Sequence, residues 1–279
     1  MHMNTVQPII TVELFPPLSR ELIKVLKSLN KEDWTSPTVC TGWSVKDVAA
    51  HLLGGSLGRL SDRDDQPTQT VKNELSFEEL VRLIDRENEE WVKAARCISP
   101  SLLIEFLDIT DKALDLYFKC LPMQAPARIP VSWAGETETS NWMDIAREYT
   151  EKWLHQQHIR EAVGRLLLTS REWLFPVLDT FMRALPYTYR NIEADEGTRV
   201  AVHIQGEAGA DWCLIRQESR WQLYSGVDPN ATTRMDMDQD LAWRLFTKGI
   251  TSEVARAQVR IEGDRGLGER ILQMVSIMA

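Results

Sequence analysis

The chain has 279 residues, of which 43% are hydrophobic and 26% charged, and a formal net charge of -9. That length suits one large or two ordinary domains with their own cores, no apolar run reaches the ~20 residues of a membrane span, and the acidic balance disfavours a phosphate-backbone partner. Cys40, Cys97, Cys120 and Cys213 are widely spaced without a C-x-x-C, as single thiols of a reducing compartment are, and the start MHMNTVQPIITVELF lacks a basic region and apolar core; a cytoplasmic location is expected.

The first ~170 residues read almost wholly as helix: about Val12 to Leu29, Ser44 to Leu60, Ser76 to Cys97, Ser101 to Cys120 and Trp142 to Arg165. Ser44 with Asp47, and Ser76 with Glu79, give capping-box starts. Asp62 to Thr70 is a polar connector, and the proline-rich stretch Leu121 to Asn141 has the length of a crossover loop. Trp173 to Tyr189 reads as a helix opening a second domain. From Thr198 the period becomes two: RVAVHIQG, DWCLIRQE, WQLYSG and TTRMDMD alternate apolar and polar residues between turn signals, as strands do. Asp238 to Lys248 is then expected as helix, Gln258 to Glu262 as strand and Gly266 to Met278 as a closing helix. The expected fold is α+β in two domains, a helical bundle over 1-168 and a small α+β domain over 169-279.

Chemistry concentrates in two helical stretches. Glu151 and His155 stand at i and i+4, which a helix stacks on one face, and His158 continues that line. His51 falls beside the apolar stripe of Val45, Val48, Ala49 and Leu52, where it points toward neighbouring helices. A His51, Glu151, His155 set would supply three ligands to a catalytic metal and leave one position open for water or a thiolate. The competing reading is a set of histidines satisfied within a core. Cys40 precedes a helix start, where a thiolate is favoured, yet no histidine lies near it in sequence, so a structural thiol is the better reading. Trp43 reads as a core anchor. Arg59, Arg63, Arg82 and Arg147 are candidate anion partners that read equally as helix surface. Gly54 and Gly55 lack the strand-then-loop context of a phosphate site and point to close helix packing or a bend.

The strings CTGWSVKDVAAHL, from Cys40, and EKWLHQQHIREAVG, from Glu151, resemble the two signatures of the mycothiol-dependent maleylpyruvate isomerase family, a branch of the DinB-like metal-binding four-helix bundles. VRIEGDRGLGERILQMVSIM, from Val259, resembles the closing strand and helix of that family's sterol-carrier-like second domain. The resemblance implies that His51, Glu151 and His155 bind a divalent ion, usually zinc. His158 stands where the family commonly has Asp; its readings are a group orienting His155, a proton shuttle, an alternative ligand, or a histidine hydrogen-bonded inside the bundle. The implied activity is thiol-dependent cis-trans isomerisation, or transfer of a thiol to a small electrophile, with mycothiol or bacillithiol as cosubstrate. The alternative is a non-catalytic lipid or small-molecule binding protein with a structural or vestigial metal. Oligomeric state is left open.

Overall fold

The computed structural model describes residues 3-64, 77-128 and 130-276. The second capping signal at Ser76, the connector beyond residue 64 and the side chain of Arg63 lie outside the described residues. The chain is α+β and forms two compact units. One comprises Ile10–Ala125 with Glu148–Leu168; the other comprises Met1–Ile9, Pro126–Arg147 and Thr169–Met278.

The first unit is helical: α1 (Phe15–Lys27), α2 (Val45–Asp64), α3 (Phe77–Ala95), α4 (Pro100–Cys120) and the later part of α5 (Asn141–Ala162). Proline in the opening turn of α1 costs nothing there, because those amides have no helical partner. Leu18, Leu22, Val25 and Leu26 then recur at helical spacing, and all are buried. Ser99 caps α4 by accepting a hydrogen bond from the Leu102 amide. Helix α4 packs on α1 and α2, and α3 packs on α2.

Helix α5 is fixed by polar contacts as well as by its fully buried Tyr149 and Trp153. The Gln156 amide donates to the Leu18 carbonyl at 3.1 Å. Arg160 bridges to the Glu21 carboxylate at 3.0 Å and the Leu166 carbonyl at 2.9 Å. Lys152, buried, pairs with buried Asp111 of α4 at 2.5 Å. These pairings set the rotation of α5 about its axis and so decide which face carries Glu151 and His155.

The second unit is built on a six-stranded sheet. Its strands are β1 (Asn4–Thr5), β2 (Arg199–Gln205), β3 (Asp211–Gln217), β4 (Arg220–Ser225), β5 (Thr233–Asp238) and β6 (Arg260–Glu262), in the order β1-β4-β3-β2-β5-β6. Among the described residues only the β2 and β5 pair is parallel, with Val202 opposite Met235, and the other pairings are antiparallel. The four alternating segments of the sequence are β2 to β5. Strand β1 escaped sequence reading because two residues carry no periodicity; it exists through pairing with Tyr224 and Ser225. Helices α6 (Arg171–Met182), α7 (Leu185–Thr188) and α8 (Gln239–Phe246) accompany the sheet, and the Trp212 indole donates to the Asp179 carboxylate of α6 at 2.9 Å. A short α9 (Ser252–Arg256), unforeseen, precedes β6.

The closing helix expected over Gly266 to Met278 is shorter. It runs as α10 (Arg265–Glu269) and a 3-10 turn over Arg270–Gln273, and Met274 is already extended. Tertiary contacts replace the helical ones: Met274 is buried, and the Ser276 amide donates to the Phe246 carbonyl at 3.0 Å. Residues 277-279 lie outside the described residues.

Candidate metal centre

Helix α2 begins where its sequence requires. The Ser44 amide and hydroxyl donate to the Asp47 carboxylate at 3.0 and 2.8 Å, and the Asp47 amide donates back to the Ser44 hydroxyl at 3.3 Å, a reciprocal capping box. Burial pulls the Asp47 carboxyl upward, but hydrogen bonds from Arg96 and from Ser44 outweigh it and hold it below the ordinary 3.8. With that end fixed, Val45, Val48, Ala49 and Leu52 are buried, and half-buried His51 takes the flank of their stripe. The Trp43 ring lies tilted against the His51 ring, with centroids 5.1 Å apart. On the other side the Trp91 indole of α3 donates to the Ala50 carbonyl at 2.7 Å. It occupies the space a side chain at Gly54 would need, so α2 and α3 approach closely there only because residue 54 is glycine.

On α5, Nε2 of His155 lies 3.5 Å from Oε2 of Glu151, as an i, i+4 pair should. The His51 and His155 rings meet edge to face with centroids 4.5 Å apart. One donor atom from each of His51, Glu151 and His155 lies within 4.8 Å of the others. A second trio of donors, from Cys40, His155 and His158, is equally close and shares His155 with the first.

The electrostatics of the two facing imidazoles differ. Burial, reinforced by nearby His155 and opposed by Glu151, pushes His51 down to about 3, so its imidazole is neutral. Burial also pushes His155 downward, but the Cys40 sulfur and the Glu151 carboxylate beside it prevail and raise it to about 9. The donor chemistry of the first trio fits a divalent cation. Two imidazoles and a carboxylate are a catalytic-zinc donor set. Nδ1 of His155, the ring nitrogen other than the one that faces Glu151, is buried and makes no hydrogen bond to the described residues, an arrangement that costs about 1–3 kcal/mol unless something satisfies it.

The other sequence candidates divide. Arg59 is buried, its guanidinium 5.8 Å from the Phe118 ring centre. Arg82 is exposed, and Arg147 is tied to Asp144 at 2.7 Å in the sheet-containing unit. Trp43 packs partly buried against the bundle core and, beyond its expected anchoring role, borders His51. Cys40 has no histidine near it in sequence, but in the fold its sulfur lies 3.3 Å from Nδ1 of His158. No local signal announces that contact, since the two residues belong to different segments of the bundle.

The family model for the mycothiol maleylpyruvate isomerase N-terminal domain matches residues 15–160. Comparison with curated proteins gives no match. Among solved structures, a mutant of the mycothiol-dependent maleylpyruvate isomerase is 11% identical, with a TM-score of 0.54 over 93% of this chain and 95% of its own. A structure described without a mutation has a TM-score of 0.52 at 11% identity, over 87% of this chain and 91% of its own. Sterol carrier protein 2 from Yarrowia lipolytica, in apo form, aligns over 38% of this chain and 91% of its own at 12% identity and a TM-score of 0.27. At 11% identity the likeness to the two isomerase structures is one of fold.

Proposed function

The chain belongs to the family of the mycothiol maleylpyruvate isomerase N-terminal domain, and from that premise we propose that it is a divalent-metal-dependent enzyme of low-molecular-weight thiol chemistry, either a cis-trans isomerase of the maleylpyruvate type or a thiol S-transferase. The convergence of His51, Glu151 and His155 donors within 4.8 Å is the observation that carries this reading. These three residues would hold the cation, zinc by the character of the donors. Bound there, it would act as a Lewis acid and favour the thiolate form of a coordinating thiol.

The chain's own residues prepare that chemistry. His51 offers a neutral imidazole, the form that ligates. Trp43 lies beside that imidazole, its ring centre 5.1 Å away. Lys152 pairs with Asp111, and Glu151 lies within 3.5 Å of His155, where its carboxylate would join the imidazole on the cation. The cosubstrate would be mycothiol or bacillithiol and its partner a small electrophilic alkene. Addition of the thiol turns the double bond into a single bond, rotation follows, and loss of the thiol restores the alkene in the other configuration.

The test is elemental analysis of protein purified without a histidine tag, alongside His51→Ala and Glu151→Gln, followed by a thiol-dependent assay with maleylpyruvate and generic electrophiles. The reading expects about one divalent ion per chain at this position, its affinity reduced in each variant by more than the about 100-fold that loss of a supporting residue costs, and turnover that requires both metal and thiol. Equal affinity in all three proteins, or turnover indifferent to metal, would overturn it.

A further inference from the structure

Beyond the proposed site, Cys40, His155 and His158 bring a sulfur and two imidazoles within 4.8 Å of one another, and all three residues are half-buried. His155 and His158 share a face of α5, their ring centroids 5.3 Å apart and nearly perpendicular. Cys40 is delivered by a tight loop rather than a helix. The Thr38 hydroxyl accepts from the Cys40 amide at 3.2 Å and donates to the Trp43 carbonyl at 2.9 Å. The Trp43 amide closes the turn on the Cys40 carbonyl at 2.9 Å, with Gly42 at φ +80° in between. The backbone that carries the sulfur is thus fixed by the loop's own hydrogen bonds.

A hydrogen bond between Cys40 and His158 explains two members of this group at 3.3 Å. It leaves Nδ1 of His155 buried and without a hydrogen bond to the described residues. A cation would satisfy all three donors together. One thiolate and two imidazoles also make a softer donor set than His51, Glu151 and His155, and softness of ligand is what sorts metals among sites.

We propose that Cys40, His155 and His158 form a second cation position, sharing His155 with the first and selective for thiophilic ions of the zinc and copper(I) class. Binding exchanges the thiol proton for a sulfur-metal bond, the proton leaving to solvent; no oxidant or reductant is involved. The shared histidine links the two positions, so an ion at one changes the donor strength available to the other.

The proposal predicts selective protection of one thiol. The protein is reduced, stripped of metal, and alkylated with iodoacetamide with and without zinc, each cysteine being followed by peptide mass spectrometry. Zinc should slow alkylation of Cys40 at least about tenfold, since the thiolate is both the nucleophile and the ligand. Exposed Cys97 and Cys120 should react at an unchanged rate and serve as internal standards. Protection of Cys40 should persist in His51→Ala and in Glu151→Gln, either of which suffices should the other fail to fold, and disappear in His158→Ala. Cobalt should give a near-ultraviolet sulfur-to-metal absorption band in the wild type and in those two variants, and none in Cys40→Ser. Unchanged Cys40 alkylation with zinc, or protection that vanishes with His51 and Glu151, overturns the second position. The latter result would leave the proposed first site standing, whereas protection that persists while the first site fails its own metal test would sink only that site.

Discussion

The sulfur of Cys40 stands 3.3 Å from Nδ1 of His158, although 118 residues separate them along the chain. The contact joins the loop before α2 to the site-bearing face of α5, and so couples the two strings that mark this family. In metal-free protein a thiol-imidazole contact of this kind is worth about 1 kcal/mol. A double-mutant cycle with Cys40→Ala and His158→Ala, read by urea unfolding in the presence of a chelator, should return a coupling of about that size. Strict additivity would mean that the two side chains are adjacent without interacting.

Gly54 and Gly55 are neighbours in sequence and opposites in the fold. A methyl group at Gly54 would enter the Trp91 indole, whereas one at Gly55 would meet nothing within 4 Å. Gly54→Ala should therefore destabilise by about 2 kcal/mol through overpacking, with displacement of the Trp91 indole and a change in tryptophan fluorescence. Gly55→Ala should stabilise by about 0.5–1 kcal/mol, because alanine loses less backbone entropy in a helix. Equal effects at both positions would refute the packing of α3 on α2.

Lys152 and Asp111 form a buried ion pair at 2.5 Å, with the Ser56 hydroxyl donating to the same carboxylate oxygen at 3.3 Å. Removing one partner strands the other charge, so Lys152→Met should cost about 3–5 kcal/mol. The double variant Lys152→Met with Asp111→Leu should regain much of that loss. Thermal unfolding of the three proteins decides the matter: a double variant as unstable as the sum of the two singles would show that the pair does not act as a unit.

Asp47 ties acid stability to the start of α2. Its folded value lies below the ordinary 3.8, so its contribution is fully present above that value and is lost as pH falls through the folded value. At neutral pH Asp47→Ala should be less stable than the wild type by about 2 kcal/mol, from lost capping and hydrogen bonds. On acidification below the ordinary value the gap should narrow as the wild-type carboxylate protonates. Urea midpoints measured from neutral to acid pH test this, and a gap that stays constant or widens on acidification contradicts it.

Much of the fold was written in local pattern. The i, i+4 recurrence of Leu18 and Leu22, the Ser44 and Asp47 cap, and the alternation through Val200, Val202 and Ile204 each describe a residue's direction relative to its own backbone. Periodicity needs no knowledge of neighbours to do so. The same logic put Glu151 and His155 on one face of a helix. It failed at the closing segment, where Met274 and Ser276 leave the helix for contacts elsewhere in the sheet-containing unit, and at β1, which is too short to have a period.

The sequence by itself therefore determined the long helices of the first unit and the main strands, the family, and the residue types offered to a cation. Only the tertiary structure decided which of them meet: His51 against His155, Trp43 beside His51, Trp91 in the space left by Gly54, Lys152 on Asp111, and Cys40 at His158. The physical reason is that backbone period sets the angle of a side chain about its own axis. Which side chain faces it depends on how separate helices pack, and that follows from side-chain volumes, buried polar pairings and loop geometry distributed over the whole unit.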